Sequence, residues 1–199
     1  MTASPRYRVG VVSVLVASVL WGTTGTAATF APGVSPVAIG ATAMGVGGLL
    51  QALIAWPAIR RNLPGLYRQG RIVALGVVAV AVYPLAFYTS MHLAGVAAGT
   101  VVSIGSAPVF ASIVERVADH HRLTRRWLVG AGLGIGGATL LCLAESQGST
   151  YGGIRNTLLG VVLGFLAGLT YALYSWTAHR VMATGITPRA AMRSIFGSA

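Results

Sequence analysis

Ten uncharged or weakly basic side chains in this sequence could handle a ligand. They are Trp21 and Thr24, three apart; Tyr83, Tyr88 and His92; Ser103 and Ser106 ahead of Pro108; and Tyr171, Tyr174 and Trp176. Aromatic rings offer stacking and cation–π surface, and hydroxyls fix the orientation of a polar group. The set therefore suits binding of an amphipathic small molecule more than bond-making. Trp21, Thr24, Tyr83, Tyr88, Ser103, Ser106, Tyr171 and Tyr174 are the candidates for a substrate path. Each also has a plainer role. Trp and Tyr belt membrane interfaces, and Ser and Thr hydroxyls bond the carbonyls of their own helix.

Catalysis is not expected. Ser103 and Ser106 would need a base, yet His92 stands near the opposite end of its own run. No HExxH and no paired acids occur, and Cys142 has no partner, so neither a metal nor a disulfide is expected. "GLGIGG", Gly132 to Gly137, follows no strand and is not a dinucleotide loop; no cofactor is expected. The only acidic residues are Glu115, Asp119 and Glu145, at the ends of apolar runs or between them. A carboxylate at mid-membrane would be costly and would point to ion coupling; none is present.

The elements that hold these residues follow from composition. The chain has 199 residues, 55% of them hydrophobic and only 9% charged, and its mean hydropathy is +0.75. Soluble domains carry roughly 25% charged residues, so lipid is the expected solvent. All 14 basic residues are arginine, and the net charge is +11. The arginines sit in short clusters between uncharged runs, as in membrane-protein loops, rather than along one face that could grip nucleic acid.

Val9 to Ile59 carries no charge over 51 residues. One straight helix of that length would reach about 77 Å at about 1.5 Å per residue, against a hydrocarbon core of about 30 Å. It must turn back, and "FAPGVSP", Phe30 to Pro36, is the breaker. Spans are expected near residues 9–30 and 35–58, then 72–91 and 95–115 with a break at "MHLAG", then 127–144 and 156–178. Pro84 should kink the third of these and free a backbone carbonyl. With these limits, 13 arginines fall on one side and Arg155 alone on the other. The positive-inside rule then places the N-terminus in the cytoplasm of a multi-pass plasma-membrane protein. Arg6, Arg8 and "TAA" at Thr26–Ala28 would also fit a signal peptide, but cleavage there would misorient the second span relative to its arginines.

Two segments repeat. "GVVSVLVASVLW" at Gly10–Trp21 resembles "GVVLGFLAGLTY" at Gly160–Tyr171, and "VSPVAIGATAMG" at Val34–Gly45 resembles "ITPRAAMRSIFG" at Ile186–Gly197. The offsets are 150 and 152, and five spans intervene, so the second copy enters the membrane from the opposite side. Such an inverted repeat is a known transporter architecture. The expected fold is an all-α polytopic membrane helix bundle with six transmembrane helices plus the start of a seventh. Residues 1–145 form the first five-helix repeat and 146–199 an incomplete second one. By this reading the chain is a fragment of an inverted five-plus-five protein. The alternative is an amphipathic C-terminal helix on the cytoplasmic surface, Arg189 and Arg193 outward.

"WGTTGTA" in the first span resembles the EamA-type transporters of the drug/metabolite transporter superfamily. So do Tyr88 to Leu141 and "GFLAGLTYALYSWTAHRV" in the sixth span. The resemblance covers nearly the whole chain. It implies a ten-span inverted repeat that moves small polar metabolites or drugs, commonly outward. This sequence departs from the family pattern in three ways. "IGATAMGVGG" lacks the basic residue common early in the second span, His120-His121 replaces the acid before the "RLT" turn, and four spans are missing. The implied partners are the bilayer, a small-molecule substrate of unknown identity, and either a second copy or the missing half. The alternative is a non-transporting membrane protein or a half-transporter. Gly130/Gly134, Gly132/Gly136 and Gly160/Gly164/Gly168 form small-xxx-small faces, expected to pack helices within the bundle rather than make a dimer surface.

Overall fold

The computed structural model describes residues 5–120, 125–148 and 153–199. The described residues form eight α-helices and no strand. The helices are α1 (Pro5–Gly22), α2 (Thr24–Thr29), α3 (Pro36–Arg68), α4 (Gly70–Ala94), α5 (Val96–Ala118), α6 (Arg125–Gly148), α7 (Ile154–Ala183) and α8 (Pro188–Gly197). The chain divides into two compact units, Met1–Val34 and Ser35–Ala199. In the first, α1 and α2 are almost one helix: Thr23 N donates to Val19 O and Ala27 N to Thr23 O, at 3.2 and 2.8 Å.

Among the described residues, five stretches are long and apolar enough to cross a membrane: Val9–Thr29, Pro36–Arg68, Gly70–Ala94, Val96–Ala118 and Ile154–Ala183. The expected span at 127–144 falls on α6, whose side chains are described only in part. His121 and Arg122 lie outside the described residues, as does the "RLT" turn up to Thr124.

The second span corrects the sequence expectation. Its helix runs ten residues past 58, to Arg68, and only Gln69 separates it from α4. Arg60, Arg61, Arg68 and Arg71 are therefore helical rather than in a loop. Arg180 likewise belongs to α7 and not to the segment after it. Hydropathy marks where a chain leaves hydrocarbon, not where its backbone stops being helical. Pro57 and Pro64, both inside α3, each remove one backbone donor without ending the helix.

Two turns have the same build. Gly33-Val34-Ser35-Pro36 and Gly185-Ile186-Thr187-Pro188 begin with glycines at φ +82° and +89°, a region open to Gly and strained for other residues. Ser35 and Thr187 then cap their helices in the same conformation, φ −65° and −62° with ψ 143° in both. Their hydroxyls accept from Ala38 N at 3.1 Å and Ala190 N at 3.4 Å, and proline fills the first helical position each time. This is the preferred chemistry of a helix start.

Within the second unit α4 lies at the centre, packed on α3, α5, α7 and α8. Small residues let the backbones approach. A Cβ on Gly40 of α3 would stand 2.8 Å from Pro84 O, so α3 packs directly on the α4 backbone at the proline. On α7, Cβ atoms at Gly160 and Gly164 would come 2.7 Å from Ala94 Cβ and 2.9 Å from Val102 Cγ1. Gly130, Gly132, Gly134 and Gly136 of α6 differ: a Cβ there meets nothing within 4 Å among the described residues. The packing role expected of both glycine faces is realised on α7.

Helix α8 buries Ala190, Ala191, Ser194 and Ile195, all but Ser194 fully. Its apolar face is docked on α3, α4 and α7 while Arg189 stays exposed.

Candidate functional site

Tyr83 and Phe87 are one turn apart on α4, and Tyr171 and Tyr174 are one turn apart on α7. Such spacing puts each pair on one helix face, and the tight α4–α7 contact brings the two faces together. Tyr83 stacks on Phe87 with centroids 5.6 Å apart and meets Tyr171 edge-on at 5.7 Å and Tyr174 at 6.4 Å. Tyr171 and Tyr174 are 4.9 Å apart, and Tyr174 meets Phe196 of α8 at 5.4 Å. Tyr88 joins through Phe87 at 5.5 Å. Six rings from α4, α7 and α8 thus form one cluster, with offset and edge-to-face geometries that favour aromatic pairs.

Four expected site residues, Tyr83, Tyr88, Tyr171 and Tyr174, meet in this cluster. Ser103 and Ser106 are buried on α5 beside α7, where Ser106 Oγ lies against the Gly168 backbone. Their hydroxyls donate to Gly99 O at 2.7 Å and Ser103 O at 3.3 Å, within their own helix. Thr24 Oγ1 does the same to Trp21 O at 2.7 Å. Trp21 and Thr24 stand on the Met1–Val34 unit, whereas the ring cluster is built wholly within Ser35–Ala199. His92 is exposed on α4 and outside the cluster. Sequence reasoning missed Phe87 and Phe196. The i, i+4 spacing of Phe87 from Tyr83 was a usable signal, whereas nothing local announces Phe196.

A second polar feature ties α5 to α7 near their C-terminal ends. Trp176 Nε1 donates to Asp119 Oδ2 at 2.8 Å, across 57 residues of sequence. Arg180 Nη1 is 3.2 Å from Asp119 Oδ1, and its guanidinium carbon lies 5.3 Å from the Trp176 ring centroid. Glu115, Ser175 and His179 join these groups around a cavity of about 460 Å³. Trp176, one of the side chains that could handle a ligand but not a path candidate, is thus engaged by Asp119. Arg180 is 46% exposed, so its ion pair is worth less than about 1 kcal/mol. Asp119→Asn, which keeps an acceptor for the indole, should leave the melting temperature almost unchanged. Asp119→Leu strands the part-buried indole N–H and should cost about 1–3 kcal/mol; equal melting of the two variants would show that the indole bond contributes nothing.

An apolar cavity of about 410 Å³ lies between α5, α6 and α7, lined by Val102, Ser106, Phe110, Ile135 and Phe165 among others. Among the described residues no group of three or more His, Cys, Asp or Glu could hold a metal ion.

A model of the EamA-like transporter family matches residues 8–143, well over half of the chain. The chain belongs to the EamA-like transporter family. It is also similar to the "Uncharacterized transporter YwfM" of Bacillus subtilis (strain 168), 33% identical over 184 residues, or 92% of this chain. The chain spans 59% of that relative's length. No solved structure matches the chain. The EamA match contains Trp21, Thr24, Tyr83, Tyr88, Ser103 and Ser106 but not Tyr171 or Tyr174. The ring cluster therefore joins the family-defining region to helices beyond it.

One buried hydroxyl in this EamA domain does no visible work. Ser90 on α4 is fully buried, and among the described residues its Oγ has no hydrogen-bond partner. Ser90→Ala removes that polar atom at nearly constant volume, so it should leave stability unchanged or raise it slightly. A melting temperature lowered by more than a few degrees would show that the hydroxyl is bonded.

Proposed function

We propose that the chain forms the binding part of a secondary transporter for a small amphipathic metabolite or drug. The observation that carries this is the cluster of six uncharged rings in a chain of a transporter family. Rings of this kind hold an apolar or cationic moiety by stacking and cation–π contact, and the phenol groups orient its polar end. Tyr83, Tyr88, Tyr171 and Tyr174 are the contact residues in this reading, Ser103 and Ser106 are path residues on α5, and Trp21 and Thr24 are path candidates carried by the Met1–Val34 unit.

The proposed topology is six spans in the plasma membrane with the N-terminus in the cytoplasm, supported by the segregation of arginines. Residues 1–145 and 146–199 are a whole and a partial repeat of opposite orientation. The matching Gly33–Pro36 and Gly185–Pro188 turns support that pairing, as does the packing of α3 on α8. Alkaline phosphatase fusions after Arg68 and Arg155 would test the topology: only the second should be active, and activity of the first would overturn it.

Transport is tested in proteoliposomes with a panel of labelled amino acids, amines and cationic dyes. One class should move down its gradient, and Tyr171→Ala should slow it by about tenfold. No flux for any class in folded protein would reject autonomous transport. Flux that appears only when a second chain is supplied would favour the half-transporter reading.

A further inference from the structure

Helix α3 is longer than a membrane requires. Pro36 to Trp56 covers 21 of its 33 residues, about 31 Å at about 1.5 Å per residue, which already matches a hydrocarbon core of about 30 Å. Pro57 to Arg68 continues the helix for about 18 Å more. This extension has two faces. On one, Leu66 is buried against Val181, Ile186, Ala190 and Ala191, with Ala58 and Ile59 beside it. On the other, Arg60, Arg61 and Arg68 are exposed, and Arg71 follows just past the Gln69 corner, also exposed. Tyr67 is 80% exposed and Trp56 56%.

No Asp or Glu occurs in residues 1–114, and Asp119 is engaged by Arg180. The four guanidinium groups thus stand in a stretch of sequence with no acid of its own. Their planar donor forks match phosphate oxygens, and the first of them, Arg60, stands about 6 Å past Trp56 along the helix, at headgroup depth, where Trp and Tyr are favoured.

We propose that the Pro57–Arg71 corner binds anionic phospholipid headgroups, and that a lipid held there steadies the packing of α3 on α8. The partner is a membrane lipid rather than a soluble phosphate, because Trp56 is exposed at the end of the membrane-long stretch, where acyl chains begin. The coupling to α8 runs through the buried face: the Ile186 side chain lies 3.3 Å from where a Cβ on Gly65 would stand. A headgroup that restrains the arginine face restrains Gly65 and Leu66 as well. Nothing in this depends on transport, so it can fail while the transporter reading stands.

The test uses the full chain in nanodiscs of phosphatidylcholine, with and without phosphatidylglycerol. Retained lipid is counted by native mass spectrometry, and melting is followed in parallel. The wild type should keep phosphatidylglycerol over phosphatidylcholine by about tenfold or more, given how strongly juxtamembrane arginines attract anionic lipid. Its melting temperature should rise with phosphatidylglycerol. Arg60→Gln/Arg61→Gln and Arg68→Gln/Arg71→Gln should each reduce the preference severalfold and shrink the rise, whereas Arg155→Gln should leave both intact. Because both double variants keep the buried face, their folding can be checked independently by melting in phosphatidylcholine alone. A wild type without lipid preference would overturn the proposal, as would double variants that keep it in full.

Discussion

Gly168→Ala is expected to lower stability by about 1–3 kcal/mol, the usual cost of forcing a methyl group into a packed contact. The added Cβ would overlap Ser106 Oγ and lie 2.9 Å from Ser103 O and 3.2 Å from Ala107 N. The hydroxyl can rotate away, but the two backbone atoms move only if α5 moves. For a chain of this length the loss corresponds to a fall of about 2–10 °C in melting temperature. Gly134→Ala on α6 is the control, because nothing lies within 4 Å of its Cβ among the described residues. It should stay within about 0.5 kcal/mol of wild type and gain a little from better helix propensity. Both glycines belong to small-xxx-small faces, so only their surroundings separate them. Equal melting of the two variants would mean that α5 and α7 are not in close contact at Gly168.

Tyr174→Ala should be the most damaging single change in the ring cluster. Its ring meets Tyr83, Tyr171 and Phe196, and so joins α4, α7 and α8. Emptying such a site typically costs about 3–5 kcal/mol, a large fraction of the roughly 5–15 kcal/mol that holds an ordinary domain folded. Tyr174→Phe keeps the ring and should melt close to wild type. Any change it makes in transport then reports on the hydroxyl and not on folding. A double-mutant cycle pairing Tyr83→Leu with Tyr174→Leu should show coupling of about 0.5–1.5 kcal/mol. Strict additivity would mean that the edge-to-face contact carries no energy of its own.

The fold class was readable because lipid imposes a one-dimensional rule. An apolar run must span about 30 Å, and every backbone donor must be satisfied inside its own helix. Val9–Thr29 and Ile154–Ala183 obey this plainly, and the breaks at Phe30–Pro36 and near Gly95 appear where expected. The α3 extension was not readable, because Arg60 and Arg61 end a hydrophobic run without ending a helix. Four of the six rings, Tyr83, Tyr88, Tyr171 and Tyr174, were legible as candidates from residue type alone. Joining Tyr171 and Tyr174 to Tyr83 and Phe87 required knowing which side of α7 meets α4. Helical periodicity leaves that open when most positions around the helix are apolar or small.

By itself, then, the sequence determined the solvent, the all-helical class, most span limits and the family, each of which depends on local composition or on motifs continuous along the chain. Only the tertiary structure decided which glycines are close contacts, that Trp176 serves Asp119, and that Phe196 completes the cluster. Those facts depend on pairs of residues far apart in sequence, such as Asp119 and Trp176. Their meeting is set by how whole helices rotate and cross when side chains pack to high density.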